Sequence, residues 1–252
     1  MCLITFAYEA HPRYRLVMAA NRDEFYKRPT EQAHFWKDHP DVLAGRDLEK
    51  MGTWMGVTKN GRFAAITNYR DPSAENKNAK SRGALVGDYL CGAEPPSDYM
   101  KRVQKFGDQY NGFNLIIGDR RGIYYFSNRG NGIQHLGSGL YGLSNALLDT
   151  PWPKVEKSKE RLAGCLEQEE VNPDCLFDLL ADTDQAGDSA LPDTGVSLEF
   201  ERMLSPAFIE SRDYGTRAST LLLIDHDGGV FFKERSFYPE RQDSSFKFQI
   251  ST

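Results

Sequence analysis

The second residue of the chain is a cysteine, and an Asn21-Arg22-Asp23-Glu24 run closes the next apolar segment. When an initiator methionine is removed, a cysteine behind it carries a thiol and a free α-amine on one residue. An α-amine has an ordinary pKa of about 7.7–8.0, so near neutral pH it can take the thiol's proton. That pairing is one of the recognised ways to activate a weak nucleophile. A guanidinium such as that of Arg22 favours the thiolate, because an opposite charge within about 4–6 Å stabilises the ionised form. A carboxylate such as that of Asp23 can orient the amine, as a third group orients the base of a catalytic triad. These residues also have a plainer reading. Cys2 is then a buried strand cysteine, a common habit of free thiols, and Arg22-Asp23 a surface ion pair worth about 0–1 kcal/mol.

Other motifs lack the context their chemistry requires. Gly137-Ser138-Gly139-Leu140-Tyr141-Gly142 fits Gly-x-Gly-x-x-Gly, but it does not open a helix behind a strand in a βαβ unit, as dinucleotide binding demands. His11, His34, His39, His135 and His226 form no i, i+4 pair, and Cys2, Cys91, Cys165 and Cys175 form no Cys-x-x-Cys. No metal site, no covalently attached haem and no disulfide framework is expected. A net charge of −5 argues against nucleic acid as a partner. The apolar run at 221–224 is far short of the ~18 residues of a membrane span. Without a basic leader before the first strand-like segment, a reducing, cytoplasmic setting is expected.

The elements that must position Cys2 and Arg22 begin with a hairpin, strands 2–8 and 15–21 around a turn at 11–13. Residues 24–50 read as a long polar loop bearing Pro and His; its length marks it as functional. A second hairpin, 53–58 and 62–67, turns at Lys59-Asn60-Gly61, since Asn-Gly between apolar runs is a strong hairpin signal. Helices are predicted at 81–90, where Ser81 suits an N-cap, and at 98–110. A third hairpin spans 113–118 and 123–127, with 141–145 as its partner. Helices at 154–167 and 173–181, a loop at 182–196 and strands at 218–225, 229–234 and 246–251 complete the chain. Hairpins interleaved with helix pairs predict antiparallel sheets covered by helices, in a single domain over residues 1–252.

Met1-Cys2, the segment Ala19-Ala20-Asn21-Arg22-Asp23-Glu24-Phe25, Ala44-Gly45-Arg46-Asp47, Gly52-Thr53-Trp54 and Ile66-Thr67-Asn68-Tyr69-Arg70 resemble the NRDE-motif proteins, the transport-and-Golgi-organisation family. Gly142-Leu143-Ser144-Asn145, Thr150-Pro151-Trp152-Pro153-Lys154 and Tyr214-Gly215-Thr216-Arg217-Ala218-Ser219-Thr220 extend the resemblance over essentially the whole chain. That family in turn resembles the N-terminal-nucleophile (Ntn) cysteine hydrolases. The resemblance implies an α+β fold, a four-layer α/β/β/α sandwich with two antiparallel sheets. It also implies roles: Cys2 as nucleophile, Arg22 and Asp23 beside it, Asn68 as an oxyanion donor, Asn145 as a polar substrate contact and Arg217 as a charge on a neighbouring strand. Asn68 and Asn145 also end apolar strands, where Asn commonly begins a turn.

Two functions follow from this reading. One is hydrolysis of linear amide C–N bonds through Cys2, with no cofactor. The other is a non-catalytic carrier or chaperone on the same scaffold, handling haem or acyl-CoA and other lipid ligands. Both take a small amphipathic molecule, and the loop at 24–50, with Trp36 and Trp54 nearby, is expected to wall its pocket. Phe25, Tyr26, Phe35, Trp36 and Trp54 read equally well as pocket lining and as core. Among the four cysteines, Cys2 is expected to be alkylated fastest.

Overall fold

The computed structural model describes residues 2–251. The chain forms two compact units, Met1–Lys27 with Ser138–Phe248, and Arg28–Gly137 with Gln249–Thr252.

The first unit is built on a six-stranded antiparallel sheet. Its strands are β1 (Cys2–Tyr8), β2 (Tyr14–Phe25), β10 (Gly139–Leu143), β11 (Tyr214–Asp225), β12 (Gly229–Ser236) and β13 (Gln242–Gln249), in the order β10-β1-β2-β11-β12-β13. The β1–β2 turn is closed by His11, whose Nδ1 accepts the Arg13 and Tyr14 amides at 3.1 and 3.2 Å. Along β1, β2 and β11 nearly every residue is buried, whereas burial alternates along β12. This is why the first three read as continuous apolar runs. Three helices belong to this unit, α3 (Pro153–Cys165), α4 (Pro173–Leu180) and α5 (Leu198–Met203). Ala7, Val17, Ala19, Leu221 and Leu223 pack against Leu162, Leu176, Leu179 and Leu180, so alternate residues of the central strands face α3 and α4.

Cys165, the last residue of α3, is disulfide-bonded to Cys175 in the first turn of α4, with Cα atoms 5.9 Å apart. The expectation that the chain lacks disulfides is therefore corrected. The ten-residue separation matches no spacing motif, and only the reversal of the chain between the two helices brings the sulfurs together.

The second unit carries a seven-stranded antiparallel sheet whose strands follow chain order. They are β3 (Thr30–Phe35), β4 (Val42–Asp47), β5 (Met55–Thr58), β6 (Phe63–Asn68), β7 (Phe113–Asp119), β8 (Gly122–Ser127) and β9 (Gln134–Leu136). The predicted Asn60-Gly61 turn joins β5 to β6, with Gly61 at φ +83°, a conformation that favours glycine. Helices α1 (Arg82–Cys91) and α2 (Pro96–Phe106) cover this sheet, burying Leu85, Val86, Tyr89, Tyr99 and Met100 against Leu115, Ile117 and Phe126.

Residues 24–50 are not a loop. They contain the end of β2 and all of β3 and β4. The reason for the misreading is that β3 is an edge strand, and edge strands carry polar residues that discourage further pairing. Trp36 is likewise no exposed wall. It lies in the second unit's core and donates from Nε1 to the Ala44 carbonyl at 3.1 Å.

The expected α+β class with two antiparallel sheets and accompanying helices is the class observed. Among the described residues, no helix is long and apolar enough to cross a membrane.

Candidate active site

β1 lies inside the first sheet, paired with β10 on one side and β2 on the other. Its register sets Cys2 directly opposite Arg22, and Leu3 opposite Asn21. Directly opposed residues project to the same face, so the Cys2 thiol and the Arg22 side chain share one. Because side chains alternate along a strand, the Asn-Arg-Asp-Glu run is split. Arg22 and Glu24 lie on the face of Cys2, and Asn21 and Asp23 on the face that packs against the helices.

Asn21 is fully buried. Its Nδ2 donates to the Leu180 and Ala207 carbonyls, both at 2.8 Å, and its Oδ1 accepts the Ser219 hydroxyl at 2.6 Å. This amide ties β2 to the end of α4, to the chain after α5 and to β11. Sequence reading assigned it no role, although a lone Asn ending an apolar strand was a visible signal.

Asp23 accepts the Thr216 hydroxyl at 2.7 Å. Burial pushes its carboxyl up, while the Lys154 ammonium, the Thr216 bond and Arg22 act in the other direction. Lys154 is itself buried and donates to the Leu204 carbonyl at 2.9 Å.

The Cys2 residue is 8% exposed. Burial pushes its thiol up and the Asp23 carboxylate adds to this, whereas the Asp23 backbone amide and Arg22 favour the thiolate. Ser144 Oγ donates to the Cys2 carbonyl at 3.1 Å, which fixes the main chain at the nucleophile, and contacts Asn145 Oδ1 at 3.3 Å. The β1–β10 ladder pairs Ile4 with Leu143. The ladder ends there, and the buried Asn145 lies in the bend that follows β10, next to the Ser144 that bonds Cys2.

Arg217 occupies a β-bulge between the Thr216↔Asp23 and Ala218↔Arg22 pairs. The extra residue re-aims the strand, and the Arg217 guanidinium lies 5.3 Å from the Tyr238 ring centre, with Nη1 donating to the Phe25 carbonyl at 3.2 Å. Burial and the neighbouring Arg22 both lower its pKa. Arg22 approaches Glu24 at 3.8 Å through Nη2. Its Nη1 is buried and makes no hydrogen bond among the described residues.

Cys2, Arg22, Asp23 and Arg217 thus lie at one end of the first unit's sheet, with Asp23 on the face opposite Cys2 and Arg22, and Asn145 stands in the bend beyond β10. Asn68 belongs to the second unit, where it ends β6 opposite Phe113. The expectation that Cys2 is the most readily alkylated cysteine is at odds with its burial and raised pKa, since Cys91 is exposed. Among the described residues, no group of three or more His, Cys, Asp or Glu side chains is arranged to hold a metal ion.

A solved structure of a Caenorhabditis elegans N-acylethanolamine-hydrolyzing acid amidase ortholog matches this architecture. It aligns with a TM-score of 0.51 at 10% sequence identity, over 88% of this chain and 92% of that one. The fold is that of the Ntn hydrolases. The chain belongs to the Transport and Golgi organisation 2 family, whose model matches residues 1–239. The Transport and Golgi organization protein 2 homologs of Bos taurus and Homo sapiens are 40% and 38% identical to it, each over 94% of this chain and 93% of its own length.

Proposed function

We propose that the protein hydrolyses a linear amide through Cys2, once Met1 has been removed. Met1 itself lies outside the described residues. The observation that carries this reading is the pairing of Cys2 with Arg22 at the start of an interior strand. Burial favours the protonated thiol over the thiolate. The freed α-amine takes that proton as the sulfur attacks the carbonyl carbon, forming a C–S bond and a tetrahedral intermediate. Arg22 offsets the negative charge on sulfur, and Asp23 receives the ammonium that forms. Collapse of the intermediate breaks the C–N bond. The ammonium returns its proton to the leaving amine, and water then cleaves the thioester by the reverse proton path. The fold match to a protein named as an N-acylethanolamine-hydrolyzing amidase supports an N-acyl amide as substrate class. Intact mass of the purified protein, followed by N-acyl amide turnover, tests this reading. A retained Met1 with no turnover refutes it.

A second reading is favoured by the burial of Cys2, because a protonated, enclosed thiol is a poor nucleophile. In it the protein is a carrier of haem or acyl-CoA. Saturable binding of either ligand that survives Cys2→Ala, without amide turnover, selects the carrier.

A further inference from the structure

Arg22 pairs with Ala218 across β2 and β11, and Arg217 fills the bulge next to Ala218, so the two arginines are neighbours on the first sheet. The Arg22 charge lowers the Arg217 pKa. Glu24 stands 3.8 Å from Arg22 and acts on Arg217 as well, so one carboxylate serves two cations. Asp23 is turned to the opposite face, where it accepts the Thr216 hydroxyl and feels the Lys154 ammonium. Arg22 is 8% exposed, yet its Nη1 donor makes no hydrogen bond among the described residues. A buried donor left unpaired is costly, more so on a charged group. A buried, unpartnered guanidinium nitrogen beside a second arginine is the form of a site awaiting an anionic oxygen, because the planar fork matches a carboxylate.

The surroundings extend this site to the surface. Tyr238, the ring beneath Arg217, is 42% exposed and stacks on Tyr26 with ring centres 4.9 Å apart. Gly215 leaves the strand bare where Tyr26 lies, since a Cβ there would collide with the tyrosine hydroxyl. Two stacked aromatic rings therefore lead from the buried Arg217 to the protein surface.

We infer that the Arg22–Arg217 pair, with the Tyr238–Tyr26 stack beside Arg217, binds a carboxylate carried by the acyl-amide substrate. This inference rests on the amide-hydrolase reading and adds the charge of the substrate to it. Two guanidinium groups and Glu24 leave one positive charge, which a singly charged carboxylate neutralises. A dianionic phosphate monoester would leave an excess negative charge in a desolvated site.

The test is calorimetric binding to the Met1-processed Cys2→Ala protein, which cannot turn over its ligand. N-decanoylglycine, its neutral amide N-decanoylglycinamide and N-decanoyl-O-phosphoethanolamine share one acyl chain. The acid is expected to bind at least about 10-fold more tightly than the amide, from charge-assisted hydrogen bonding, and more tightly than the phosphate. Adding Arg217→Gln should remove most of the preference, and Arg217→Lys should keep part of it. The ligand comparison itself needs no arginine variant. Equal affinities for acid and amide, no binding of the acid, or tighter binding of the phosphate each overturn the inference. A carboxylate preference in the Cys2→Ala protein with no turnover by the unaltered protein sinks the hydrolase reading and leaves the anion site standing.

Discussion

Cys2 and Arg22 face one another across the β1–β2 ladder, twenty residues apart in sequence and directly opposed in register. A hairpin with a short turn sets that pairing, so the cation cannot drift from the sulfur without a strand slip that would also reverse every buried side chain of β1. The geometry is built into the first 25 residues and does not depend on a mobile loop.

Replacing the sulfur is the most direct test of what this pairing does. Cys2→Ala should lower amide turnover at least about a thousandfold, the scale seen on removing a catalytic nucleophile. Thermal stability should change little. Cys2→Ser should retain little activity, because a hydroxyl is harder to deprotonate than a thiol of pKa ~8.5.

The pH dependence of alkylation has a definite sign. Burial and Asp23 raise the Cys2 pKa, so the thiolate fraction at pH 8 lies below that of a free thiol and grows as pH rises further. Peptide mapping after brief iodoacetamide treatment at pH 7, 8 and 9 should show Cys91 modified first and Cys2 gaining steeply at the alkaline end. Burial raises Cys91 as well, so its lead comes from exposure. Fast labelling of Cys2 at pH 7 would contradict the buried, protonated thiol.

Asn21 should behave as a structural residue despite its place beside Arg22. Asn21→Ala strands two buried carbonyls and the Ser219 hydroxyl, at a cost of roughly 2–4 kcal/mol. Asn21→Asp should also destabilise, because a carboxylate cannot donate to the Leu180 and Ala207 carbonyls. Urea unfolding midpoints measure both, and a shift within experimental error for Asn21→Ala would remove the scaffolding role.

The Cys165–Cys175 bond closes a loop with a sequence separation of 10. Restricting the unfolded chain by such a loop stabilises by about 2–3 kcal/mol in the chain-entropy account. The double variant Cys165→Ala/Cys175→Ala should therefore unfold at lower urea concentration than the oxidised protein. The oxidised protein should show two fewer titratable thiols than the four cysteines of the sequence. Four free thiols in the native, unreduced protein would refute the pairing.

The local chemistry of the chain determined much of this protein by itself. The 11–13 turn, the Asn60-Gly61 turn and the apolar runs of β1, β2, β7 and β11 are short-range signals. Together with the family's motifs they point to antiparallel sheets, to the helix pairs and to Cys2 beside Arg22. The polar edge strand β3 was not legible, because an edge is defined by which strands do not pair beyond it, and composition alone makes it look like a loop. Nor was the division of labour within Asn21-Arg22-Asp23-Glu24. Strand alternation sends Asn21 and Asp23 to one face, but only the arrival of Leu180, Ala207 and Thr216 from the far end of the chain makes one a tie and the other a buried carboxylate. The disulfide and the bulge that aims Arg217 belong to the same class. Each depends on where distant segments come to rest, and tertiary packing rather than local propensity decides that.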